Sequence, residues 1–169
     1  LAYSLMWRDG LNVYTQSLTI RVLTFFKSLV TYCGLLFWPT NLHMERSITL
    51  ARTLEPLVVF GATIFFGSLT IAALAVRRFP LITFGIAWFF IGLAPVSNIA
   101  VPINGLLYEH WLYLPLVGVA LIMVWGLGVL ALRLRLVPVA ALMLIVSVLL
   151  LINKTVARNR EWRDPITFY

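Results

Sequence analysis

From residue 57 to residue 76 the chain carries no charged side chain, and a helix needs about 20 mostly apolar residues to cross a hydrocarbon core of about 30 Å. Lipid offers a backbone amide no hydrogen-bond partner, so an uninterrupted run of this length closes its own bonds as a helix. Three further stretches have the same character: residues 81–99, with Pro95 near the far end; 112–132, stopped by Arg133-Leu134-Arg135; and 137–152, stopped by Asn153-Lys154. Hydrophobic residues make up 62% of the chain and charged ones 11%, against roughly 45–50% and about 25% in soluble domains. A soluble globular fold is excluded. The lone Cys33 excludes a disulfide framework and a cysteine zinc cluster. The net charge of +7 does not point to nucleic acid, because the 13 Lys and Arg fall in short clusters between apolar runs.

A fifth candidate, residues 18–39, contains Arg21 and Lys27. Arg21 can snorkel from one end, whereas Lys27 near the middle costs about 2.5–3.5 kcal/mol on insertion scales if it faces lipid. The segment therefore spans with Lys27 turned inward, or it lies as an interfacial or re-entrant helix. The expected fold is an all-α integral membrane protein, a bundle of four to five transmembrane helices over residues 1–153. The links at 77–80 and 133–136 are so short that each joins an antiparallel pair.

Orientation follows from charge. Arg77, Arg78, Arg133 and Arg135 crowd the two short links, while residues 96–108 contain no Lys or Arg. The positive-inside rule then puts the links in the cytoplasm and the loops 40–55 and 96–110 outside, together with the C-terminal tail. Lys154, Arg158, Arg160 and Arg163 in that tail argue the other way, with less weight than short loops. The chain starts at Leu1 and turns abruptly polar after residue 157, and it reads as a piece of something longer.

The outer loops collect the unusual polar residues: Asn41, His43, Glu45, Arg46, Arg52 and Glu55 in one, Ser97, Asn98, Asn104, Tyr108, Glu109 and His110 in the other. Solvation of loops outside the bilayer accounts for much of this, and Arg46 and Arg52 also suit lipid phosphates. Glu109-His110 is harder to dismiss, because it directly precedes an apolar run with Pro115 in its first turn, and ionisable groups near membrane depth are costly. His43, Glu45, Glu109 and His110 form the only conceivable metal set, but no ligand spacing fixes it, so no metal cofactor is expected. Asn153-Lys154-Thr155 matches a glycosylation sequon that abuts the membrane, where it is expected to cap the last helix.

The run Leu93-Ala94-Pro95-Val96-Ser97-Asn98, followed by Glu109-His110-Trp111-Leu112-Tyr113-Leu114-Pro115 and Gly118, resembles the L-x-P-x-S-N and E-R-x-L-Y-x-P-x-x-G motifs of the transmembrane and tetratricopeptide-repeat O-mannosyltransferases and their bacterial relatives, membrane enzymes of GT-C type fold. Arg21-Val22-Leu23-Thr24, Leu35-Leu36-Phe37-Trp38-Pro39 and residues 42–45 are similar to the family's upstream segment, and Arg158-Asn159 with Trp162 to the entry of its first repeat. The resemblance implies a fragment of a GT-C fold, with residues 154–169 opening a C-terminal helical-repeat domain. It implies transfer of a sugar from a polyprenyl-phosphate carrier, the donor, to a protein acceptor on the non-cytoplasmic face of a bacterial inner membrane or the endoplasmic reticulum.

In that scheme His110, with Arg46 or Arg52, faces the donor phosphate; Glu109 orients His110; Tyr113 and Asn98 hydrogen-bond the donor; Glu45 stands where the family has an aspartate. Two departures weigh on it. His110 occupies the place of a family arginine, which replaces a permanent charge by a titratable imidazole. The family's catalytic acid generally lies in a first outer loop outside this sequence, so the catalytic base is not assigned. The reading of a different class is a non-catalytic scaffold beside neighbouring membrane subunits.

Overall fold

The structure, a computed structural model, describes residues 16–37, 46, 48–103 and 105–161. Among the described residues the regular elements are all helical: α1 (Leu18–Phe37), α2 (Pro56–Ala75), α3 (Pro80–Leu93), 3₁₀ turns at Ala94–Val96 and Glu109–Leu112, α4 (Tyr113–Arg133) and α5 (Val137–Glu161). Three stretches are long and apolar enough to cross a membrane: Leu18–Leu36, Pro56–Ala75 and Glu109–Arg133. Shorter apolar helices cover Pro80–Val96 and Val137–Asn153. The chain divides into two compact units, Leu1–Ile122 and Met123–Tyr169.

The boundaries have local causes. Pro56 and Pro80 occupy the first turns of α2 and α3, where a missing N–H is no loss and the fixed φ suits a helix. Both helices therefore begin one residue before the apolar runs at 57 and 81. The third run, expected through residue 99, leaves α geometry at Leu93. Pro95 has no N–H to give Ile91, and the chain tightens into a 3₁₀ turn before Asn98 reverses it with a φ of 59°.

In the first unit, α1 buries the stripe Thr24, Phe25, Ser28, Leu29 and Tyr32, one face at helical spacing. Ser17 caps its start by accepting from the Ile20 N–H. The hydroxyls of Thr24 and Ser28 donate back to the carbonyls of Ile20 and Thr24, so they enter the stripe with their donors satisfied. Residues 48–55 then run alongside α1: the Ala51 N–H donates to Thr24 Oγ1 at 3.0 Å, and Lys27 Nζ donates to Thr49 Oγ1 and Glu55 Oε2, both at 2.8 Å. Lys27, 12% exposed, is thus turned inward.

Glycines set the closest helix approaches. A side chain on Gly61 would run into the Phe26 carbonyl, bringing α2 onto α1. Between α3 and α4 the contact is reciprocal, since a Cβ on Gly85 would lie 2.6 Å from the Gly118 carbonyl and one on Gly118 would strike Gly85. Pro115 packs on Gly92, and the Trp88 indole donates to the Leu114 carbonyl at 2.9 Å. Leu29, Tyr32, Phe89, Leu93, Leu107 and Leu112 form the core that results.

In the second unit α4 ends in paired bonds, Leu136 N–H to the Ala131 carbonyl and Arg135 N–H to that of Leu132, with Arg135 left-handed at φ 56°. This is the Schellman ending, usually given to glycine. The apolar part of α5 covers Val137–Asn153, and the helix continues beyond it to Glu161. No Gly or Pro lies between Pro138 and Pro165 to break it. Asn153 and Thr155 do not cap it; both donate back to carbonyls four residues earlier, Leu149 and Leu151. The expected repeat entry at Trp162 lies outside the described residues, as do Asn41, His43, Glu45 and Asn104.

Candidate functional site

The two loops read as outer ones meet. The Arg46 N–H donates to the Leu107 carbonyl at 3.1 Å, and Arg46 Nε donates to Glu109 Oε1 at 2.7 Å. The partners are 24% and 15% exposed, so water screens this pair less than a surface one. Sequence reasoning gave Glu109 the role of orienting His110; the partner the structure shows is Arg46. The carboxylate sits at the head of the 3₁₀ turn facing the returning loop, while His110, one residue on, is exposed. Its ring lies 5.4 Å from that of Tyr108 and 6.1 Å from that of Trp111, centre to centre.

The remaining expected residues separate into outside and inside. Tyr113 is 75% exposed in the first turn of α4, and Arg52 is exposed on the 48–55 segment. Asn98 is only 5% exposed. Its Nδ2 donates to the Gly105 carbonyl at 2.9 Å and its Oδ1 accepts the Ile103 N–H at 2.7 Å. Both ends of the Asn98 amide thus bond backbone groups of its own loop. Asparagine suits the task because it tolerates the left-handed conformation and bonds backbone groups nearby.

A second polar locus escaped the sequence reading. Arg21, Thr24, Ser28 and Tyr32 line a crevice with Ser97 and Asn98, and Arg21 Nη1 donates to the Asn98 carbonyl at 3.0 Å. Their spacing of three, four and four residues puts the α1 members on one helical face. That polar stripe was visible in the sequence; Arg21 and Lys27 were weighed there as charges in a span, not as parts of a face.

Among the described residues no three His, Cys, Asp or Glu side chains gather as a metal site. No family model, curated protein or solved structure matches the chain. Fold and site together define an all-helical protein with membrane-length apolar helices, whose polar groups concentrate where α1, the 46–55 segment and the 94–112 loop converge.

Proposed function

We propose that this sequence is the C-terminal membrane portion of a polyprenyl-phosphate-sugar-dependent glycosyltransferase of GT-C type, with four spans, α2 to α5, acting on a protein at the non-cytoplasmic face. The observation that carries the reading is the junction of the two loops at Arg46 and Glu109, which ties the first outer loop to the head of the resemblance's most specific element. With Glu109 held by Arg46, His110 is left exposed at the surface beside Tyr108 and Trp111. With the exposed Tyr113, it is available to a phosphate, as hydrogen-bond donor or, when protonated, as cation. The aromatic neighbours supply apolar area for a sugar ring or prenyl chain.

The test uses the protein that carries this sequence, in membranes, with a photoreactive polyprenyl-phosphate sugar. His110→Ala is expected to weaken crosslinking and transfer with the fold intact, and His110→Arg to retain both. Unchanged crosslinking and turnover in His110→Ala would withdraw the reading.

The second reading is a non-catalytic scaffold among neighbouring membrane subunits, in which the ion pairs of Glu55 and Glu109 serve to hold the helices and loops together. Co-purification of stoichiometric membrane subunits, with no sugar transfer by the assembly, would select the scaffold.

A further inference from the structure

The crevice between α1 and the 93–106 loop differs from the Arg46–Glu109 junction in what its polar groups still lack. Thr24 donates to Ile20 and accepts from Ala51; Ser28 donates to Thr24; Ser97 donates to Ala94 and accepts from Ile99; Asn98 closes its loop. Two buried atoms are left without a hydrogen bond: Arg21 Nε and the Tyr32 hydroxyl. Tyr32 is 3% exposed. Its hydroxyl lies toward the Tyr108 backbone without completing a bond of good geometry. Leaving a buried polar group unpaired costs about 1–3 kcal/mol, and more when it is charged.

Both unspent atoms carry donor hydrogens, and one belongs to a permanent cation. What the crevice lacks is an acceptor, and a negative one. Glu55 is engaged elsewhere by Lys27, and Glu109 by Arg46. The enclosed volume is about 10 Å³, room for one water-sized group. An anion therefore enters end-on, with one oxygen inside and the rest at the mouth. Arg21 stands in the first turn of α1 and bonds the 94–112 loop, and a loop that joins membrane helices sits at headgroup level.

We propose that this crevice binds the phosphate of an anionic membrane lipid, one phosphate oxygen accepting from Arg21 Nε. The site is separate from the His110 surface and does not depend on the transferase reading.

The experiment measures thermal unfolding of the whole chain in a phosphate-free glycoside detergent, with phosphatidylglycerol, phosphatidylcholine or inorganic phosphate added. Phosphatidylglycerol is expected to raise the Tm of the parent and of Arg78→Gln, an exposed-cation control. Arg21→Gln is expected to lose about tenfold or more in apparent lipid affinity, as removal of one charge-assisted hydrogen bond implies. Should Arg21→Gln fail to fold, Arg21→Lys keeps the test open, since it retains the charge and removes the Nε donor, with a several-fold weaker affinity expected. Equal lipid response in all variants, or none in the parent, would reduce the crevice to a water site. A rise with inorganic phosphate equal to that with lipid would overturn the headgroup assignment.

Discussion

Asn98 holds a left-handed backbone, φ 59°, and two side-chain hydrogen bonds at once, and two substitutions separate these duties. Asn98→Gly keeps the conformation and loses the bonds; Asn98→Ala loses both and adds about 1–2 kcal/mol of left-handed strain. Detergent unfolding should rank the parent above Asn98→Gly and Asn98→Ala lowest, with the first step about 1–3 kcal/mol, the cost of stranding the buried partners. Gly118 makes a second contrast. Gly118→Ala drives a methyl into Gly85 and should cost about 1–3 kcal/mol, as overpacking does. Gly67→Ala, with nothing within 4 Å of the new carbon, should be neutral or gain up to about 1 kcal/mol of helix propensity. The same comparison gives Pro115 and Gly118, singled out from the sequence as part of a functional element, a packing role against Gly92 and Gly85.

For single elements the sequence was legible where one force dominates. Apolar runs too long for any other solution became helices, and two of the starts, at Pro56 and Pro80, shifted by one residue at a proline. What it concealed are contacts between distant positions. Arg46 and Glu109 stand 63 residues apart, and nothing local in either segment names the other. Lys27 is intermediate: its burial cost demanded a partner, but the choice of Glu55 depends on the 48–55 segment lying back along α1. That pairing makes a prediction about α1 and the start of α2. Lys27→Met strands a carboxylate that is 36% exposed, so the loss should be about 1–3 kcal/mol, below the range for fully buried pairs because water reaches Glu55. Adding Glu55→Gln should recover at least half of it, read by unfolding of the double variant. Full additivity of the two losses would mean that the ion pair is incidental to how α1 is held.

At the scale of the whole molecule, the decisive question is whether α3 crosses the membrane. Its 14 α-helical residues rise about 21 Å, and the three residues of the 3₁₀ turn add about 6 Å, just short of the about 30 Å hydrocarbon thickness. Local thinning, together with Arg77 and Arg78 reaching from the preceding link, can absorb a mismatch that small. If α3 crosses, Arg78 and Val101, on either side of it, face opposite compartments, and the positive-inside rule assigns Arg78 to the cytoplasm. Single cysteines at these two exposed positions, in a Cys33→Ser background, should behave differently in intact cells: an impermeant maleimide labels position 101 at once and position 78 only after permeabilisation. Labelling of both from outside would make α3 re-entrant. The reverse pattern would turn the loop of His110 toward the cytoplasm, and sugar transfer on the outer face would fall with it. One labelling experiment thus bears on the fold and on the proposed function together, because the 94–112 loop that ends the shortest helix of the first unit also carries Asn98, Glu109 and His110.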